Sequence, residues 1–229
     1  MPYSRSAYRI DFEARVEELL QEARAAQKLG ASLRGVRDMT FQCAVFQTCA
    51  ALETYIRLIV EGWVQKLKAN NLGAKVPHPA RARYFTKALA GSLEAYMSTG
   101  DEAKIFRALE SKAALWDIMQ GKAELPTYIN GVYLHENTAY PSNKNLKRLF
   151  YRLGINNIHA EVSRILSRDA EGLIEGFQSV RTNIAHASPD DLTIGDVRRL
   201  LRDISDFVRA VDRVFYRHVM AHGGNVCWH

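Results

Sequence analysis

The chain has 229 residues, 47% hydrophobic and 24% charged, enough apolar side chain to bury a sizeable core in one domain. An excess of 31 Lys and Arg over 25 Asp and Glu gives a net charge of +6, which favours an anionic partner such as RNA without demanding one. The odd cysteine count (Cys43, Cys49, Cys227) and the apolar setting of the first two argue against a disulfide framework; no continuous apolar run opens the chain, so the expectation is a soluble cytoplasmic protein without export signal or membrane span.

The elements follow as amphipathic helices. Phe12, Val16, Leu19, Leu20 and Ala23 share one stripe until Gly30 stops it. From Asp38 to about Lys68, Phe41, Val45, Cys49, Leu52, Ile56, Ile59, Trp63 and Leu67 keep the helical spacing, and further apolar residues widen the stripe. This central helix would run roughly 45 Å at 1.5 Å per residue. Residues 70–79 read as a loop from their Asn, Gly and Pro content, and helical patterns return over 81–98 and 101–120.

Residues 121–142 lose the period and form an irregular insertion, in which the stretch 126–136 could form a small hairpin around Asn130-Gly131. Ser142 then caps a helix carrying Leu146, Leu149 and Phe150 inward, with Gly154 as its stop. A short helix near 157–168 precedes one with Leu173, Ile174, Phe177, Val180 and Ile184 inward, ended by Ser188-Pro189. Thr193 and Asp196 resemble a capping box at the head of the last helix, which runs from Val197 to Phe215 at three- and four-residue steps. The expected fold is all-α, a helical bundle of long antiparallel helices in a single domain over 1–229, with its core over 38–217 and a flexible tail over 221–229.

The stretch "VRTNIAHASPDD" (180–191) places Arg181 and His186 five residues apart at a helix end. In an ideal helix they lie about 7.5 Å apart along the axis and roughly 140° apart in direction, so one rigid helix would not aim both at one atom. Pro189 would free the last turn, and two copies of the motif across a symmetric dimer could build one composite cleft. A histidine can take a proton from a ribose 2′-hydroxyl or give one to a leaving 5′-oxygen, and an arginine can hold charge on phosphate, with no metal needed. Asn183 and Thr182 supply an amide and a hydroxyl beside the pair. Taken alone, the spacing better suits an arginine capping carbonyls and a histidine at the negative end of the helix dipole.

The stretch "SVRTNIAHASPDDLTIGDVRRLL", together with "AVFQTCAALETYIRLIVEGW" and "NKNLKRLFYRLGI" in this order, resembles the HEPN superfamily, especially its RiboL-PSP branch. The resemblance implies an all-α domain that dimerises and, in active members, cleaves RNA without a metal, in toxin-antitoxin, phage-defence or RNA-processing roles. It places the catalytic pair on Arg181 and His186, with Thr182, Asn183 and Glu53 as supporting residues. It leaves room for an antitoxin or regulatory partner. Two positions depart from the pattern: Thr182 stands where the family usually has a polar residue, most often asparagine, and Ser188 where members paired with a nucleotidyltransferase often carry tyrosine.

Glu53 lies in the apolar stretch of the central helix and needs a partner, either Arg57 four residues on or, from across the bundle, Arg181 or His186. Arg81, Arg83, Lys144, Lys147 and Arg148, with Lys87 and Lys104, could track an RNA backbone or be solvated helix faces. The C-terminal "HVMAHGGNVCWH" offers His218, His222, Cys227 and His229 as a rival zinc cluster, though no metal or other cofactor is expected. The expected function is a metal-independent endoribonuclease acting as a homodimer on RNA, the alternative a non-catalytic module that binds RNA or a protein partner.

Overall fold

The computed structural model describes residues 2–126, 130–138, 140–186 and 192–228. It is 79% helical, with no strand among the described residues, as expected of an all-α bundle. The helices are α1 (Ala7–Ala26), α2 (Arg34–Ala69), α3 (His78–Thr99), α4 (Glu102–Ser111), α5 (Ala114–Gln120), α6 (Val132–His135), α7 (Asn143–Arg152), α8 (Ile158–Leu166), α9 (Ala170–His186) and α10 (Ile194–His222).

The centre is a three-helix contact of α1, α2 and α10, with α8 and α9 laid on α10. Trp63, Phe41, Phe150, Phe177, Phe207 and Phe215 are fully buried, so aromatic area from four helices fills the middle. By length and composition alone α2 could cross a bilayer, because an 18-residue window reaches a mean hydropathy of 1.3. Half of that window is buried inside the bundle, the arrangement of a core helix with neighbours on several sides.

Local sequence signals set several ends. Ser142 Oγ accepts from Asn145 N at the head of α7, and Thr193 and Asp196 form a reciprocal capping box on α10. Ser6 caps α1 and in the same place joins a buried network: Asp212 of α10 accepts from Ser6 Oγ at 2.5 Å, Tyr3 Oη at 2.5 Å and Tyr55 Oη at 3.2 Å. This network ties the chain's first residues, α1, α2 and α10 together.

Three expectations are corrected. The single helix expected over 101–120 is broken at Lys112-Ala113, where the Lys112 ammonium donates to the Ala88 carbonyl and draws the chain onto α3. The hairpin around Asn130-Gly131 is replaced by α6: Asn130 Oδ1 accepts from Val132 N at 3.0 Å and starts a helical turn. A Cβ on Gly131 would stand 2.6 Å from Glu61 Cα, so the missing side chain is what lets this turn seat on α2. Tyr128 and Ile129, the first half of that expected hairpin, lie outside the described residues, as does the Ser188-Pro189 stop. The segment expected as a flexible tail is packed at its described end: Cys227 is buried, and Trp228 stands edge-on to Tyr216 and donates to the Ser4 carbonyl.

Candidate active site

The motif helix α9 follows Asp169, whose carboxylate accepts from Glu171 N, and buries Ala170, Ile174 and Phe177. That anchoring sets the direction of its last turns. Arg181 points back toward α2 and is half-buried, whereas Thr182, Asn183 and His186 are exposed. The Arg181 guanidinium carbon lies 5.4 Å from the Phe46 ring centre on α2 and 5.3 Å from that of Tyr140, before α7. Two aromatic faces thus hold the cation, an attraction of the ring quadrupole for charge. Its Nε is buried and has no hydrogen-bond partner among the described residues.

The surroundings of this guanidinium are polar on one side. The Tyr140 hydroxyl donates to Gln178 Oε1, and Gln178 Nε2 donates to the Pro141 carbonyl at 3.3 Å, so α9 itself fixes the ring that faces Arg181. Burial pushes the Tyr140 hydroxyl's pKa up, with Cys49 adding to the rise and Arg181 and Thr182 opposing it. Glu53 lies in the field of Arg181: burial raises its carboxyl pKa, and the guanidinium pulls it down. Cys49 is raised by burial and then by Glu53.

Glu53 forms no ion pair with Arg57 among the described residues; Arg57 instead reaches Glu61, one turn further on, at 3.9 Å. A groove of about 580 Å³ runs along the outer face of α9, lined by Tyr140, Asn143, Lys144, Gln178, Thr182 and Asn183 among others. Arg181 and His186 do not line it. The residue missed by sequence reasoning is Tyr140, because its role depends on a contact 41 positions away; its one local signal is its place beside the Pro141-Ser142 cap.

The basic residues divide by partner. Arg83 and Lys87 both pair with Glu136, at 3.1 and 2.7 Å, Lys147 pairs with Glu171 at 2.6 Å, and Lys104 with Asp101 at 3.2 Å. Arg81 packs its guanidinium against Gly121. Lys144 and Arg148 of α7 enter no ion pair among the described residues, which leaves them the freer cations. Of the rival cluster, His218 is packed between Trp63 and Phe215, at 5.3 and 6.0 Å between ring centres. Burial lowers its pKa to about 3, with His222 adding to the fall. His222 Nδ1 donates to the His218 carbonyl at 2.9 Å, and His229 lies outside the described residues. No group of three His, Cys, Asp or Glu able to hold a metal ion is assembled among the described residues.

The family model described as RiboL-PSP-HEPN matches residues 11–217, and the chain belongs to that family. The match begins earlier than the expected core and takes in α1, in keeping with the packing of α1 on α2 and α10. No curated protein and no solved structure matches the chain.

Proposed function

We propose that the protein is a metal-independent endoribonuclease. The ribose 2′-hydroxyl attacks the adjacent phosphorus and gives up its proton to a His186 imidazole. The bond to the 5′-oxygen breaks, and a second imidazolium, His186 of the other copy, protonates the departing oxygen. Arg181 holds the charge that builds on the non-bridging oxygens, and the products are a 2′,3′-cyclic phosphate and a 5′-hydroxyl. Thr182 and Asn183 contact the strand, and Glu53 orients Arg181 from α2.

The observation that carries this reading is the clamped guanidinium. A cation held by two aromatic faces, with a buried Nε unpartnered and no carboxylate in ion-pair contact among the described residues, is prepared for an anion from outside. The active unit is a homodimer, because Arg181 and His186 leave α9 in directions roughly 140° apart and one copy does not converge them. Cellular roles in a toxin-antitoxin pair, phage defence or RNA processing all use this same chemistry. Purified protein incubated with total RNA in EDTA tests it: cyclic-phosphate ends are expected from the wild type and none from His186→Ala.

A second reading rests on the α9 groove, which presents Thr182, Asn183 and Lys144 without the Arg181–His186 pair. On that reading the domain binds RNA in the groove and releases it uncut. Stable binding without new 5′-hydroxyl ends would favour it.

A further inference from the structure

Helix α2 carries a polar row in which Glu53, Arg57, Glu61 and Gln65 follow each other at four-residue steps. The row begins beside Arg181 and ends in a groove of about 590 Å³ between α1, α2 and α6. Tyr8, Leu58, Glu61, Gln65, Asn130 and Gly131 are among its lining residues. Glu61 is its charged centre. Its Oε1 accepts from His135 Nε2 at 2.6 Å, a bond that spans 74 positions and that Gly131 makes sterically possible. His135 is 13% exposed and Glu61 25%, so the imidazole sits behind the carboxylate and holds it toward the opening. Among the described residues the cation paired with the other oxygen is Arg57 at 3.9 Å, too long for a hydrogen bond, and Lys66 also lines the groove. Tyr8 flanks the carboxylate and feels its charge.

We propose that this groove is a nucleobase pocket that selects guanine, with Glu61 as the reading residue and His135 as its positioning residue. The inference rests on the nuclease reading for the strand it belongs to. An ionised carboxylate is a pure acceptor with two oxygens. Guanine is the base whose Watson–Crick edge offers two adjacent donors, N1–H and N2–H, to match it; adenine, cytosine and uracil each pair one donor with an acceptor that the carboxylate repels. Tyr8 and Leu58 supply the flat apolar wall on which a base rests. Eight residues of helix separate Glu53 from Glu61, about 12 Å of rise. At the 3.4 Å spacing of stacked nucleotides this places the selected guanine roughly three to four nucleotides from the scissile phosphate, and Arg57, midway, takes an intervening phosphate.

Two measurements test the pocket. In the first, wild type and Glu61→Gln are incubated with total RNA and the cut sites sequenced. Guanine is expected at a fixed offset from the wild-type cut, and the glutamine variant, with one acceptor and one donor, should lower the guanine-to-adenine ratio there by about tenfold or more. An unchanged ratio, or wild-type cleavage without a guanine offset, overturns the pocket and leaves the nuclease reading intact. In the second, guanosine and adenosine monophosphates are titrated into the His186→Ala variant and into the same variant carrying Glu61→Gln. Guanosine monophosphate should bind about tenfold more tightly than adenosine monophosphate to the first and lose that advantage in the second. Equal binding of both nucleotides overturns the pocket whatever the cleavage assay gives. If the wild type cuts nothing, the nuclease reading fails and the titration alone decides whether guanine is selected.

Discussion

Replacing Asp212 by asparagine should be among the most damaging isosteric changes in the molecule. Asp212 is fully buried and accepts four hydrogen bonds: Ser6 Oγ and Tyr55 Oη on one oxygen, Tyr3 Oη and Ser6 N on the other. An amide keeps one oxygen and turns the other into a donor, so two of the four donors face a donor in its place. Hydrogen bonds to a charged group contribute about 1.5–3 kcal/mol each, and a buried donor left unmade costs a comparable desolvation penalty. Rotation of the tyrosine and serine hydroxyls recovers part of this, leaving a loss of about 3–5 kcal/mol. For a chain of this size each kcal/mol shifts the midpoint by roughly 2–4 °C, so a fall on the order of 10 °C is expected. Helical circular dichroism during urea and thermal unfolding reads it directly. Tyr3→Phe, which removes one of the four donors, should lose about 1–2 kcal/mol. An asparagine variant within about 1 kcal/mol of wild type would refute the network as the fastening between the first residues and α10.

Two further outcomes are expected. Tyr140→Leu removes one face of the arginine clamp and should lower kcat/KM for RNA cleavage by about two- to thirtyfold, the range of one cation–π contact, while Tyr140→Phe keeps the ring and should restore most of it; equal rates for wild type and the leucine variant would remove Tyr140 from the site. His218 is held neutral, with its folded pKa pushed down to about 3 against about 6.5 unfolded, so the unfolded chain binds the extra proton between those values. Its contribution to stability is therefore complete above about pH 6.5 and is lost as pH falls toward 3, by up to about 1.4 kcal/mol per pH unit. His218→Phe, which preserves the packing against Trp63 and Phe215, should flatten the midpoint-against-pH curve in that window; an unaltered slope would contradict the assignment.

What the sequence made legible is what neighbouring residues decide. The Ser142 cap, the Thr193–Asp196 capping box and the stripe of α10 are all settled within a few positions, and the structure has each where the pattern put it. Where two local rules were equally satisfied, local reading could not choose between them. Arg57 stands four residues from both Glu53 and Glu61, and only the approach of α9 and α6 to opposite ends of the row sorts the pairs, giving Glu53 the field of Arg181 and Arg57 the company of Glu61. Asn130-Gly131 suits a tight hairpin as well as a capped helical turn, and the close backbone of Glu61 selects the turn. The arginine and histidine of α9 were visible as a motif, but the rings of Phe46 and Tyr140 around the arginine come from segments 135 and 41 positions away. Such contacts are products of the packed bundle and leave no spacing to read.

The same physics accounts for the isolated histidines. His135 and His159 carry no local signature, yet one meets Glu61 at 2.6 Å and the other is buried with both ring nitrogens unpartnered among the described residues. Burial is the leading cause of the lowered His159 pKa, as for a histidine packed in the core.

The account turns most directly on the ends left on RNA by this protein and by its His186→Ala variant, compared under chelation at matched fold and oligomeric state. Wild type should produce 2′,3′-cyclic phosphates and 5′-hydroxyls in EDTA and the alanine variant should produce neither. Equal cleavage by the two proteins would contradict the proposed role of the imidazole, and with it the nuclease site at the end of α9.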